Sequence, residues 1–129
     1  MTRHTMQLEV RDTKSKGRGV FACGNFKRDD LVECVPVIVI PDEQWDSIEP
    51  TALEPYVFNF GPQGEHAAIA LGYGSLYNHS HSPNALYTKS WEELLIRFVA
   101  LRDIKDGEEI TINYNGSADR KPVDFDVNE

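Results

Sequence analysis

Cysteine is scarce in this 129-residue chain, which contains only Cys23 and Cys34. The two do not form a CxxC pair, and two cysteines are too few for a disulfide scaffold or a cysteine-rich zinc site. Both lie in short apolar segments of the sequence. We therefore predict two reduced and buried thiols.

Long hydrophobic runs are also absent. No apolar stretch is long enough to cross a membrane, and the opening residues "MTRHTMQLEVRD" lack the apolar core of a secretory signal peptide. A length of 129 residues suits a single core. We expect a cytoplasmic protein with one domain.

Positive charge is in short supply, because 13 Lys and Arg residues stand against 21 Asp and Glu residues, for a net charge of −8. Direct binding to nucleic-acid phosphates needs clustered cations, and no run of the chain supplies them. An acidic surface favours cationic partners, such as Lys/Arg-rich protein segments. The charge alone does not separate that interpretation from plain solubility.

Long amphipathic helices are missing as well, which disfavours a Rossmann-like α/β fold. Short segments of β-type composition recur instead, at residues 8–10, 20–22, 31–40, 56–60, 67–72, 85–90, 94–101 and 109–114. Pro36 inside the third segment predicts an edge strand or a bulge. The pattern predicts a mostly β domain of small sheets.

The polar cluster "YNHSHSPN" at residues 77–84 allows three interpretations. His79 and His81 favour a metal site only if a third protein ligand exists. No further histidine or acidic residue lies at a sequence spacing typical of metal ligands. A hydrolase centre would need a GxSxG elbow or a Cys–His pair, which the sequence does not indicate. The third interpretation is a turn that holds backbone in place around a ligand, with the Asn78 side chain able both to donate and to accept.

Three segments in a fixed order carry a family resemblance. "GRGVF" (17–21), "YNHSHSPN" (77–84) and "RDIKDGEEITINY" (102–114) closely resemble the SET-domain family of protein lysine methyltransferases, especially its minimal viral and stand-alone bacterial members. The resemblance covers about residues 8–114. It implies a SET fold (a β-clip of several small sheets with short helical turns) and a knot-like threading where the middle and last segments meet. We expect one SET domain over 1–129, with a tail from 115 to 129 that closes the active site.

The same resemblance implies S-adenosyl-L-methionine as cofactor and assigns residues to it. Gly17, Arg18 and Gly19 correspond to the loop whose backbone holds the methionine end. Asn78 and His79 correspond to the pair that binds the cofactor, Asn78 through its side chain and His79 largely through its backbone at the adenine. His81 has no assigned role, and no metal is required.

Aromatic residues complete the expected site. Tyr114 corresponds to the active-site tyrosine of the family, and Tyr56 to a tyrosine of the lysine channel. Tyr77 and Tyr73 are further candidates for the aromatic wall, with core packing as the alternative for each. Residues 115–129 contain no cysteine and so do not resemble the family's zinc-binding segment; we expect Phe125 to pack near the adenine or the channel mouth instead. The alternative for that segment is a disordered acidic tail.

The resemblance implies methyl transfer to the ε-amine of a lysine in a basic protein, histone-like or other, in the cytoplasm or in a host nucleus. We expect no direct nucleic-acid or membrane partner. A homodimer through the exposed part of "VPVIVIP" is open, although we prefer a buried strand there. The competing function is a non-catalytic SET-like module that binds peptide or assembles with a partner.

Overall fold

The computed structural model describes residues 7–114. Its nine strands are β1 (Leu8–Asp12), β2 (Arg18–Ala22), β3 (Leu31–Ile40), β4 (Val57–Phe60), β5 (His66–Ala70), β6 (Asn78–His79), β7 (Ala85–Ser90), β8 (Leu95–Ala100) and β9 (Glu109–Ile112). Helical structure is limited to α1 (Trp45–Ile48) and three 3₁₀ turns, Asp42–Gln44, Glu54–Tyr56 and Gly74–Leu76. None of the helices in this range is long and apolar enough to pass through a bilayer. The prediction of a mostly β chain with short helical turns is confirmed.

The strands form two sheets. One has the order β1-β2-β9-β6 and the other β4-β5-β3-β8-β7. In the first sheet β2 and β9 are antiparallel, whereas β6 and β9 are parallel, with Asn78 opposite Thr111 and His79 opposite Ile112. The middle and last segments of the family resemblance therefore meet side by side, as the resemblance implied.

A single hydrophobic core joins the two sheets. In β8 the side chains alternate, so that Ile96, Phe98 and Ala100 are buried while their neighbours are half-buried. Strand β9 contributes Ile110 and Ile112, which have no exposed surface. Burying a side chain of this size contributes about 1.5–3 kcal/mol. The short strands are thus stabilised by packing between the sheets rather than by their length.

Pro36 does not lie in an edge strand, because β3 is the central strand of its sheet. Residues Leu31–Pro36 of β3 pair with β8, and residues Val37–Ile40 pair with β5. Pro36 lies where β3 stops pairing with β8 and begins pairing with β5. The absence of its N–H therefore removes no hydrogen bond from the middle of either pairing. A bulge does occur in β3, but between Leu31 and Glu33. The edge prediction was therefore wrong, and the bulge lies elsewhere.

The burial predicted for the two cysteines was also wrong. Both are free thiols, and both are exposed. Cys34 alternates with buried Glu33 and Val35 and points to the outer face of β3. On the same face Ile38 is 56% exposed, so the "VPVIVIP" segment is not the fully buried strand we preferred. Apolar neighbours in sequence do not determine which sheet face a residue occupies.

Asn84 ties the end of the polar cluster to β9. It is 2% exposed, its Nδ2 donates to the carbonyl of Glu109 at 2.8 Å, and its Oδ1 accepts from the Thr111 amide at 2.8 Å. Its own carbonyl accepts from the Leu101 amide at 2.8 Å. Because these groups are buried, each needs its partner.

We expect Asn84→Ala to lower the free energy of unfolding by about 2–4 kcal/mol, since it leaves a buried amide and a buried carbonyl without partners. Urea unfolding measures the change. The matched control is Asn25→Ala, which removes an exposed bond from Asp106 N to Asn25 Oδ1 at 2.9 Å, with an expected cost within about 1 kcal/mol. Equal costs for the two variants would contradict the role given to Asn84.

Candidate active site

The loop at residues 17–19 and the strand β6 lie against each other at one end of the first sheet. Asn78 Nδ2 donates to the carbonyl of Arg18 at 3.1 Å. Arg18 begins β2, which pairs with β9, and β9 pairs with β6. All three segments of the family resemblance therefore converge on one region.

Two glycines of this loop are needed for different reasons. Gly17 has a φ of +74°, which a side chain disfavours. Gly19 is buried, and a Cβ there would lie 2.5 Å from Glu109 Oε2 and 2.7 Å from Asn78 Nδ2. The exposed side chain of Arg18 takes no part in this contact, which uses its carbonyl. The glycines thus allow backbone and polar side chains to approach closely.

A short polar network orients the Asn78 side chain. Its Nδ2 group donates to the Arg18 carbonyl and, at 2.8 Å, to Glu109 Oε2. Both of these partners are acceptors, which fixes the amide orientation. Glu109 Oε1 in turn pairs with Lys16 Nζ at 3.3 Å, and both side chains are less than one-fifth exposed (15% for Lys16, 17% for Glu109). Asn78 Oδ1, the acceptor atom of the same amide, therefore points away from these two acceptors.

The ring of His79 stabilises the backbone that follows β9. It is 3% exposed, and its Nδ1 accepts from the Tyr114 amide at 2.9 Å. Nδ1 is therefore unprotonated, and the neutral ring carries its proton on Nε2, which lies 3.4 Å from His81 Nδ1. Across residues 7–114, no group of three or more His, Cys, Asp or Glu side chains is arranged to hold a metal ion.

The Tyr114 hydroxyl donates to the carbonyl of Tyr77 at 2.8 Å. Its ring packs against the His79 ring, with centroids 5.0 Å apart. Burial raises the pKa of Tyr114 to about 12, and the nearby Tyr56 phenol and Glu109 carboxylate contribute to the increase. At neutral pH the phenol is therefore protonated and donates its proton to a fixed acceptor.

The other predicted tyrosines divide into two environments. Tyr56 is 40% exposed and lies close enough to Tyr114 to affect its pKa. Tyr77 is 1% exposed, and its ring packs on Phe98 at 4.5 Å between centroids, so its phenol lies in the core and only its carbonyl faces Tyr114. Tyr73 is partly buried and packs against the core. Phe125 lies outside the described residues.

Three residues at this site were missed by the sequence reasoning. Tyr87 donates its hydroxyl to the Tyr114 carbonyl at 3.0 Å and packs edge-on to Phe58. Glu33 accepts the Tyr77 hydroxyl at 2.7 Å. Glu109 lies inside the "GEEITINY" segment that the sequence analysis singled out, so its acidic side chain could have been considered there. The other two depend on strand pairing between distant segments, which no local pattern reveals.

This chain is similar to known proteins both in sequence and in fold. Residues 17–115 match the SET domain family model. Two Schizosaccharomyces pombe proteins are similar in sequence: the histone-lysine N-methyltransferase specific for H3 lysine-37, at 38% identity over 83% of this chain and 72% of the relative, and the one specific for H3 lysine-9, at 30% identity over 92% of this chain and 27% of the relative.

Two solved structures are similar in fold. One is a Plasmodium falciparum protein provisionally assigned as a histone methyltransferase, with a TM-score of 0.67 and 26% identity over 86% of this chain and 99% of that one. The other is CpSET8 of Cryptosporidium, with a TM-score of 0.68 and 27% identity over 90% of this chain and 59% of that one. The family match over most of the chain and the sequence relatives together show that this chain belongs to the SET-domain family of S-adenosylmethionine-dependent protein-lysine methyltransferases.

Proposed function

We propose that this chain methylates a lysine ε-amine in a basic protein, with histones as the first candidate substrate, and that the site around Asn78 and Tyr114 performs the reaction. The observation that carries the proposal is the Tyr114 hydroxyl held on the Tyr77 carbonyl at 2.8 Å, beside the loop that contacts Asn78. Histones are the first candidate because two similar proteins are named as methyltransferases specific for lysines of histone H3.

The residues at this site fit S-adenosylmethionine. The space beside Gly19 is too tight for a side chain, and the half-buried Asn78 amide turns its oxygen away from two acceptors. When bound, the cofactor supplies a methyl group on a positively charged sulfur, which is intrinsically reactive. The backbone of residues 17–19 would hold the methionine end, Asn78 Oδ1 would accept from its cationic amine, and the backbone of His79 would meet the adenine.

The chemistry left to the protein is alignment and control of the substrate's charge. A free lysine amine has a pKa of about 10.4, yet only its neutral form carries the lone pair needed for attack. Partial desolvation beside the Tyr56 and Tyr114 rings would lower that pKa. The amine would thus reach the reacting methyl group in its neutral form.

The Tyr114 hydroxyl is suited to orienting the amine. Because this hydroxyl donates its hydrogen bond to the Tyr77 carbonyl, its oxygen would act as an acceptor toward an N–H of the incoming lysine or toward a polarised methyl C–H. The Tyr77 carbonyl is a second acceptor in the same place. The raised pKa of about 12 keeps this arrangement intact throughout the neutral range.

Charge supports a basic substrate segment. Between Asp29 and Thr88 the chain contains no Lys or Arg. The helical segment that leads to Tyr56 exposes four carboxylates, those of Asp42, Glu43, Asp46 and Glu49. Opposite charge on the segment around the target lysine would favour encounter and orientation.

Tyr114→Phe is expected to reduce kcat by about 100-fold, since the orienting oxygen is lost, a scale typical for groups acting at the reacting centre. S-adenosylmethionine affinity should stay within about twofold, because a ring of the same size remains. Transfer of tritium from labelled cofactor to core histones gives kcat, and calorimetry gives the affinity. Trp91→Phe, a change at an exposed turn, is the aromatic control and keeps wild-type kcat. Wild-type turnover by Tyr114→Phe would contradict the role of the hydroxyl.

Gly19→Ala is expected to weaken S-adenosylmethionine binding by at least tenfold, about 1.4 kcal/mol, because the added methyl would displace Asn78 Nδ2 and Glu109 Oε2 from positions within 2.7 Å of it. Calorimetry on the folded variant measures this. Gly107→Ala is the control: its φ of +87° strains an alanine, but no atom lies within 4 Å of the new methyl. That variant should lose stability and keep its affinity. If neither variant nor wild type binds the cofactor, a non-catalytic module is the better interpretation.

Stability should fall as pH rises from about 10 to about 12, because unfolded tyrosine loses its proton near pH 10 whereas folded Tyr114 retains it to about pH 12. The raised pKa therefore stabilises the fold fully below pH 10, and this contribution disappears across that window. Urea unfolding at a series of pH values measures the slope. Tyr114→Phe should show a shallower decline, while a decline equal to that of wild type would place the stabilising proton on another group.

A further inference from the structure

Glu33 is a buried carboxyl group in an otherwise apolar strand. It is 8% exposed, and the preceding Val32 is 9% exposed, because the bulge in β3 lets two consecutive residues turn inward. Within residues 7–114 no cation lies within ion-pair distance of it. Burying a carboxyl group without a cation costs free energy. The two hydrogen bonds that Glu33 accepts offset this cost and indicate what the residue does.

These two bonds join the ends of one turn. Glu33 Oε2 accepts from the Tyr73 amide at 3.0 Å, and Oε1 accepts from the Tyr77 hydroxyl at 2.7 Å. The 3₁₀ turn Gly74–Leu76 lies between them. Gly72 precedes the turn, and a Cβ there would lie 2.6 Å from Glu33 Oε2. The carboxyl group is therefore packed against the turn from its entry to its exit.

Tyr77 connects this turn to the reaction centre. Its phenol is anchored in the core by Glu33, and its carbonyl accepts the Tyr114 hydroxyl at 2.8 Å. Burial, together with the Glu33 carboxylate, raises the pKa of Tyr77 well above its ordinary value, so that the phenol stays a donor. A rotation of the Tyr77 main chain would move the acceptor on which Tyr114 depends.

We propose that Glu33 is a positioning residue for methyl transfer: by holding Tyr73 and Tyr77 it fixes the carbonyl that orients the Tyr114 hydroxyl. The inference rests on the proposed function, in which Tyr114 orients the amine. Glu33 itself touches neither substrate nor cofactor, and its effect passes entirely through Tyr77.

A double-mutant cycle on the full chain tests this dependence. Tyr77→Phe removes only the hydroxyl and keeps the ring on Phe98; we expect kcat on core histones to fall about tenfold, with the KM for S-adenosylmethionine unchanged within about twofold. In the Tyr114→Phe background the same change should cost nothing further, since the group it positions is gone. A second, independent tenfold loss in the double variant would overturn the inference.

Two substitutions at Glu33 separate its acceptor role from its bulk. Glu33→Gln keeps an oxygen that accepts from the Tyr73 amide, and its Nε2 can donate to the Tyr77 hydroxyl oxygen, so it should retain kcat within about threefold. Glu33→Leu should lose at least as much as Tyr77→Phe. Ile104→Val, in a core position with no exposed surface, controls for general loss of stability and should turn over like wild type. Equal losses for Glu33→Gln, Glu33→Leu and Ile104→Val would overturn the positioning role. If Glu33→Leu does not fold, the cycle on Tyr77 decides alone.

A readout without cofactor or substrate keeps the inference separate from the proposed function. A hydrogen bond from a neutral phenol to a carbonyl favours the protonated phenol, so releasing the Tyr77 carbonyl should let Tyr114 ionise at lower pH. Carbon-13 NMR of ring-labelled tyrosine, assigned with Tyr114→Phe, follows this ionisation. We expect an earlier onset in Tyr77→Phe and Glu33→Leu than in wild type or Ile104→Val.

An identical Tyr114 titration in all variants overturns the inference whatever the activity. Failure of wild type to label core histones counts against the proposed substrate alone. The NMR comparison then still decides whether Glu33 positions Tyr114.

Discussion

The parallel pairing of β6 with β9 is the interaction on which the site depends. Only two residue pairs form it, Asn78 with Thr111 and His79 with Ile112. It places the Asn78 side chain against the loop of residues 17–19, because β9 also pairs with β2, and it brings the His79 ring to the Tyr114 amide. So short a ladder is weak alone, and Asn84 reinforces it with buried hydrogen bonds to β9.

Around this pairing the polar side chains act mainly on the backbone. The imidazole of His79 and the amide of Asn84 each hold β9 or its continuation, and Glu33 holds the turn before β6. The result is a set of main-chain and side-chain acceptors with fixed directions. Such preorganisation is what a transfer reaction needs when the cofactor already carries the reactive group.

Much of this arrangement could be predicted from the sequence. The three segments identify the family because their order and residue types are unusual together, and alternation in β9 indicates its buried face. The polar cluster was interpreted as a turn that holds backbone around a ligand, and in the structure the His79 ring accepts a hydrogen bond from the Tyr114 amide.

Other features depend on contacts that local patterns do not contain. The Tyr77 phenol can lie in the core because Glu33, 44 residues earlier, accepts its hydrogen bond. Cys34 is exposed because its position in the alternation of β3 directs its side chain to the outer face. Pro36 is tolerated in a central strand because the strand that pairs with β3 changes there. In each case the deciding partner is distant in sequence, and the residue type alone favours the wrong environment.

The most direct measurement is a crystal structure of the full chain with S-adenosylhomocysteine. The account predicts that the amino-acid end of the ligand lies on the backbone of residues 17–19 with its amine at Asn78 Oδ1, and that its sulfur faces the Tyr114 hydroxyl, which remains on the Tyr77 carbonyl. Ligand bound elsewhere, or a sulfur turned away from a Tyr114 that has left that carbonyl, would contradict it.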